Sequence, residues 1–359
     1  MSVLFSKLTI RDVTLRNRVL VSPMCMYSSD DGFANDWHMV HLGSRAVGGA
    51  AAVITEATAV TAEGRISPQD LGIWQDAHVE PLARIFRFIA QQGAVPGMQL
   101  AHAGRKASTA RPWEGGGPVA VAEGGWTPIH APSAIPFTPG WQTPRAMTDE
   151  DIASVIDAFR AAATRLLAAG GRIVELHAAH GYLLHEFLSP LTNHRTDRYG
   201  GSFDNRIRLV LDTTDAVRAV WPERLPLCVR ISATDWVEDG WSIDESIALA
   251  RRLKDRGADV IDCSSGGTVP HAQIHLGPGY QVPFAERIRR DAGIMTAAVG
   301  MITGAAQAEQ VLHLGQADAV VLARQLLRDP YWPMHAAMEL NEDVEPPVQY
   351  SRAFPRPRA

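Results

Sequence analysis

The sequence predicts a closed (β/α)8 barrel of the TIM type, on three observations. First, eight short apolar runs recur along the chain, at 18–21, 51–55, 95–100, 172–176, 227–231, 259–262, 294–299 and 319–322. Continuous rather than alternating apolarity marks strands buried on both faces. Second, segments of helical period fill the gaps between runs, among them 149–167, 206–220, 243–254 and 306–314. Third, no Gly-x-Gly-x-x-Gly joins a strand to a helix, which argues against the runner-up, an open doubly wound sheet with a dinucleotide-binding half. Eight strand–helix units in one chain form parallel strands, and eight such strands close on themselves.

Taken in order, residues 8–15 read as a small hairpin that plugs one end of the barrel. The first run leads into Ser22-Pro23-Met24-Cys25-Met26-Tyr27, a loop with a thiol and a phenol. A lone cysteine is more commonly a small buried hydrophobe than a reactive group. A helix around 40–46 precedes the second run, which ends at Glu56-Ala57. The third carries Gln99 near its end and continues into His102-Ala103-Gly104-Arg105-Lys106. Residues 107–144 break the alternation: they are rich in Gly, Pro and Trp and have little periodicity. An irregular insertion on the active face is a lid or binding loop more often than a linker. The fourth run opens into His177-Ala178-Ala179-His180-Gly181-Tyr182. The fifth contains Arg230, the sixth leads to Cys263-Ser264-Ser265-Gly266-Gly267, the seventh ends at Gly300 and the eighth at Ala323-Arg324. Thr148 before Asp149-Glu150-Asp151, and Ser242 before Ile243-Asp244-Glu245, have the form of helix N-caps. Residues 345–359 are Pro-rich and form either a frayed tail or a docked arm.

The 359 residues are 46% hydrophobic and 20% charged, with a net charge of −5 spread along the chain. A single globular domain, 1–359, is expected, with no nucleic-acid partner and no membrane span. The first ten residues lack a secretory signature, and Cys25, Cys228 and Cys263 form neither a disulfide framework nor a metal motif. Together these place the protein in a reducing, cytoplasmic setting.

Loops at the carboxyl ends of parallel strands converge on one pocket. There His177 and His180 can clamp one oxygen, with the Tyr182 phenol beside them as an acid; the bland alternative is a turn with two satisfied histidines. Gln99 offers a donor and an acceptor to a pyrimidine edge, and Arg230 a positive charge, or else an ion pair at the barrel mouth. Gly300 and Arg324 match the phosphate site many barrels build after strands seven and eight. No third histidine or acid accompanies the pair, so no metal is expected, nor is there a paired-carboxylate or Gly-x-Ser-x-Gly arrangement. The set suits a planar bound cofactor.

Motifs along nearly the whole chain resemble the Old Yellow Enzyme family of FMN-dependent ene-reductases, in its thermophilic-like bacterial NADPH dehydrogenase branch. They are Leu15-Arg16-Asn17-Arg18, Ser22 to Tyr27, Glu56-Ala57, Gln99 to Lys106, Glu175 to Tyr182, His185 to Pro190, Asn193 to Asp197, Tyr199 to Ser202, Val299 to Thr303 and Pro347 to Tyr350. The resemblance implies non-covalent FMN, lined by Ser22, Pro23, Met24 and Cys25. Ala57 and Gln99 then lie at the flavin ring, Arg230 at its pyrimidine end, and Gly300, Ala323 and Arg324 at its phosphate. It implies NADPH or NADH as electron donor. Alkenes conjugated to carbonyl or nitro groups (enones, enals, maleimides, nitro compounds) are the implied substrates, held by His177, His180 and Tyr27 and protonated by Tyr182. Cys25 is implied as a redox tuner, not a nucleophile. Arg352 aligns with an arginine that reaches a neighbouring subunit's site, which implies a homodimer or homotetramer. The chain departs from the pattern at Ala323, where glycine is usual, at Thr296-Ala297-Ala298, in the length of the insertion, and in the Pro-rich end from Pro355. The rivals are a metal-dependent barrel hydrolase using His177 and His180, a thioester reductase with an iron–sulfur domain, and a flavin binder without turnover.

Overall fold

In the computed structural model, which describes residues 2–343 and 345–354, Leu8–Ile10 (β1) and Val13–Leu15 (β2) pair as an antiparallel hairpin. Leu8, Ile10, Val13 and Leu15 are buried and Thr9 and Thr14 face solvent, the alternation a one-sided hairpin requires. Leu8 and Ile10 line one small cavity with Leu20, Ile173, Cys228 and Val260 at the amino ends of the barrel strands, so the hairpin is the expected plug.

All eight expected strands form, as Val19–Val21 (β3), Ala52–Ala59 (β4), Val95–Ala101 (β5), Ile173–Ala178 (β8), Leu227–Ser232 (β9), Val260–Ser264 (β10), Met295–Ala298 (β11) and Ala319–Leu322 (β12). They are parallel neighbours in chain order, and β12 pairs with β3 to close the barrel. His130–Ala131 (β6) and Arg145–Ala146 (β7) form a two-residue ladder inside and just after the irregular insertion, which otherwise holds short 3-10 turns and a bridge between Thr109 and Pro118.

The helices outside the barrel are Asp36–Val47 (α1), Val79–Gln91 (α2), Asp149–Ala168 (α3), Leu183–Leu188 (α4), Phe203–Arg206 (α5), Arg208–Arg218 (α6), Ile243–Asp255 (α7), Val282–Ala292 (α8), Ala305–His313 (α9), Arg324–Arg328 (α10) and Trp332–Glu339 (α11). Thr148 and Ser242 each close a capping box, with Asp151 and Glu245 returning the hydrogen bond. Among the described residues no helix is long and apolar enough to cross a membrane.

Successive inward side chains on three adjacent strands change character along the barrel axis. From bottom to top, β8 presents Ile173, Glu175 and His177; β9 presents Cys228, Arg230 and Ser232; β10 presents Val260, Asp262 and Ser264. An apolar tier lies on the plug, a charged tier lies above it, and a hydrogen-bonding tier faces the mouth.

Candidate active site

From sequence alone β8 is predicted to end at 176. Its ladder runs further because His177 and Ala178 pair with Arg230 and Ile231 of β9. His177 is therefore a strand residue, and only His180 sits on the loop, at φ 61°. Left-handed backbone at a non-glycine residue costs about 1–2 kcal/mol and persists where its surroundings hold it. Lys106 Nζ donates to the His180 carbonyl at 2.8 Å and also to the Gly267 carbonyl, while the His180 N–H donates to Ser232 Oγ at 2.9 Å.

The His177 and His180 rings meet edge to face with centroids 5.1 Å apart, and Tyr182 lies 5.0 Å from His177. The Ala179 N–H donates to His177 Nδ1 at 3.3 Å, so the proton of the neutral ring sits on Nε2. His180 Nε2 lies 2.7 Å from Ser264 Oγ. Burial, and then the nearby Arg230, push both imidazoles well below their usual range. They are neutral donors rather than cations. Burial, reinforced by Cys25 and Asp70, pushes the Tyr182 phenol well up and keeps its proton on.

Across the mouth lies the Ser22–Tyr27 loop. A bulge in β4 between Thr55 and Ala57 re-aims Glu56 out of the ladder. Glu56 Oε2 then accepts the Met26 N–H at 2.6 Å, and its Oε1 lies 3.1 Å from His38 Nε2. Tyr27 is held at φ 49°. Cys25, Tyr27, Trp126 and Tyr182 pack around Ile66, Ala103, Ala107 and Ile129, and Trp113 stands edge-on to Tyr27 with centroids 5.8 Å apart. Two tryptophans of the insertion thus reach the mouth. Burial raises the Cys25 thiol well above its usual range, which makes it a thiol and not a reactive thiolate. Ala57 is buried in β4, and Pro23 and Met24 are half-buried on the loop.

One tier lower, Arg230 Nη1 donates to Ser22 Oγ at 3.0 Å and Arg230 Nε lies 3.3 Å from Asp262. The ion pair, one of the two sequence alternatives for Arg230, is present, and the second bond ties the guanidinium to the Ser22 loop. Gln99 Nε2 donates to Glu175 Oε1 at 2.7 Å, which leaves its carbonyl oxygen for a ligand. At the strand ends carboxylates are scarce, as the sequence indicates; Glu175 and Asp262 lie just beneath and were missed. An acid inside an apolar run was the available signal.

On the other side a cavity of about 290 Å³ is lined by Arg230, Ser264, Gly300, Thr303, Arg324 and Arg328. Gly300 has φ 121°, and a Cβ there would come within 2.9 Å of Gln281 Nε2, so the position demands glycine. Ala323 has φ −105° and ψ −98°, a negative φ but a ψ outside the helical and extended regions, so alanine stands in a sparsely populated conformation where glycine is usual. Arg328, missed in the sequence, follows Arg324 by one helical turn, a spacing that puts two cations on one face. Arg352 lies outside the cluster, exposed in the turn after Val348–Tyr350. The Pro-rich end of the expected arm, 355–359, lies outside the described residues.

Comparison with known proteins decides the family. The sequence profile described as the NADH:flavin oxidoreductase / NADH oxidase family matches residues 3–343. The chain belongs to that family. It is 50% identical over 355 residues to an NADPH dehydrogenase of Geobacillus thermodenitrificans, covering 98% of this chain and 99% of that one. A solved morphinone reductase superposes with TM-score 0.80 at 25% identity, covering 97% of this chain and 92% of that one. An old yellow enzyme homologue from Zymomonas mobilis superposes with TM-score 0.77 at 25% identity, covering 98% and 99%. The protein is an oxidoreductase of the Old Yellow Enzyme family with FMN as its cofactor. This displaces the hydrolase reading of the histidine pair.

The residues present fit that cofactor. Arg324 and Arg328 supply charge for a phosphate, and Gly300 leaves backbone open to it. Arg230, which lines the same cavity, adds a buried positive charge.

Proposed function

We propose that this NADH:flavin oxidoreductase family member reduces alkenes conjugated to a carbonyl or nitro group, with NADPH or NADH as donor. The observation that carries the reading is the pair of buried histidine rings set edge to face beside the Tyr182 phenol, with the Ala179 N–H donating to His177 Nδ1 and so leaving the His177 proton on Nε2. Two neutral donors hold the substrate oxygen and stabilise the enolate-like charge that develops there. His177 gives its Nε2–H, and His180, whose Nε2 is engaged by Ser264, gives the other ring edge. Tyr27 is a third contact, packed in one cluster with Trp126 and met edge-on by the exposed Trp113. FMN, when bound, supplies hydride to the β-carbon. Tyr182 delivers the proton to the α-carbon as a positioned general acid, and its raised pKa ensures that the proton is present to give. Ser22, Pro23, Met24, Cys25, Ala57 and Gln99 line the flavin, Arg230 faces its pyrimidine end, and Gly300, Ala323 and Arg324 take the phosphate. The enzyme works as a homodimer or homotetramer in which Arg352 of one copy reaches the next copy's site. Residues 107–144 are the lid of a one-domain enzyme.

The test is the visible spectrum of the purified holoenzyme during titration with a simple para-substituted phenol. A long-wavelength charge-transfer band is expected as the histidines clamp the phenolate over the flavin. A yellow protein without that band overturns the clamp; a colourless protein that takes up no FMN overturns the cofactor placement.

A further inference from the structure

The charged tier holds two carboxyl groups and one guanidinium. Glu175 and Asp262 are each 2% exposed; Asp262 is the register partner of Arg230 on β10, and Glu175 lies on β8 two residues before Arg230's partner His177, close enough for Arg230 and Asp262 both to act on it. Glu175 is tied to Gln99, and Asp262 lies against Arg230 Nε. Neither Asp262 oxygen has a hydrogen-bond donor, and neither has Arg230 Nε an acceptor at bonding geometry. Two ionised acids beside one arginine would leave a net negative charge, buried and short of donors, which is costly. One shared proton makes the tier neutral. The other groups near the pair are the thiols Cys228 from β9 and Cys263 next to Asp262, with Asp259 below, where Arg11 and Arg218 pair it, and His177 and His180 above, which face Arg230. The histidines are neutral and Cys228 is a thiol, so neither contributes a charge. Nothing in the proposed reaction uses Glu175 or Asp262.

We propose that Glu175 and Asp262 are a one-proton store under Arg230, which takes up a proton when negative charge arrives on the bound flavin and so sets how the flavin's reduction potential follows pH. The inference rests on the reading that FMN lies against Arg230. The nicotinamide delivers two electrons and one proton as hydride and leaves oxidised. The flavin gains that hydride and one negative charge. The additional proton comes from solvent and ends on the acid pair, so charge and atoms balance. Burial, and then Asp262, push the Glu175 carboxyl up to about 8. Below that pH the store is already full and reduction adds nothing to it. Above it the store is empty in the oxidised enzyme and fills on reduction.

The experiment is a potentiometric titration of the holoenzyme from pH 6.5 to 10, with infrared difference spectra of the reduction. For a two-electron couple each proton taken up contributes about 30 mV per pH unit. The wild-type line should run at about 30 mV per unit below pH 8 and steepen toward about 60 mV above it, with a protonated-carboxyl band appearing on reduction there. A flavin gaining a second proton of its own would bend the line the other way. Glu175→Gln keeps an acceptor for Gln99 and should abolish both the break and the band. Asp262→Asn removes the like charge that raises Glu175, so the break should move to lower pH. A straight wild-type line, or a break that survives Glu175→Gln, overturns the proposal. A carboxyl band that titrates near pH 8 but ignores reduction overturns it through the placement of FMN at Arg230, and no such band at any pH overturns it through the acid pair itself.

Discussion

At their lower ends β8, β9 and β10 present Ile173, Cys228 and Val260, sealed by Leu8 and Ile10 of the hairpin. At their upper ends the same strands present His177, Ser232 and Ser264. The lower end is buried, mostly apolar surface around a small cavity, and its positions follow from burial. The upper end buries imidazoles, acids and a cation, and stores positive φ at Tyr27 and His180. Each of those features opposes folding, so each is tied from outside. Lys106 and Ser232 hold His180, Glu56 holds Met26, and Asp262 and Ser22 hold Arg230. A parallel barrel thus separates stability from chemistry along its axis, and the upper end draws on what the lower end supplies.

The largest effects should come from removing upper-end groups that touch substrate. Tyr182→Phe and His177→Ala are expected to slow alkene reduction by about 10²–10⁴, the usual worth of a positioned acid or donor. FMN content should hold in both, and the melting temperature should hold in Tyr182→Phe, while His177→Ala, which empties a buried strand position and frees the Ala179 N–H, should melt somewhat lower. Stopped-flow traces of alkene reduction, set against those of reduction by NADPH, make the measurement. Unchanged rates would sink the proposed roles and leave the flavin untouched.

The lower end should answer in the opposite currency. Leu15 is fully buried under the barrel, and Leu15→Ala is expected to cost about 2–5 kcal/mol. The phenol-induced band and the turnover of the folded fraction should match wild type. Chemical denaturation gives the first quantity and the phenol titration the second. A band shifted by this substitution would mean that the plug and the mouth are coupled, and the separation drawn above would fail.

The same contrast explains what the sequence made legible. Apolar runs and helical period both report burial, and burial is what builds the strands and the plug. All eight strands were therefore readable, and their carboxyl ends led to His177, His180, Tyr182, Gln99 and Arg230. What escaped depends on partners distant in the chain. Lys106 matters because Gly267 and His180 come to it from another unit. Glu56 matters because a bulge turns it toward residue 26. Glu175 and Asp262 each looked like one acid in an apolar strand, and only closure of the barrel set them on either side of Arg230.

The smallest expected effect tests whether everything at the upper end is chemical. Helix α3 starts there, directly after the insertion and β7, and Thr148 caps it by accepting the Asp151 N–H at 3.2 Å. Asp151 returns the bond to the Thr148 N–H at 2.8 Å and pairs with Arg145. Thr148 is exposed and its side chain caps the helix, so its work is to end the insertion at a fixed point. Thr148→Ala should cost about 1 kcal/mol, the usual worth of an N-cap. The rate of alkene reduction should not move if the lid is positioned by Trp113, Trp126 and Lys106 at its other end. A slower enzyme with the expected small loss of stability would instead show that the cap sets the lid. The division between the two ends would then run through the insertion and not along the barrel axis.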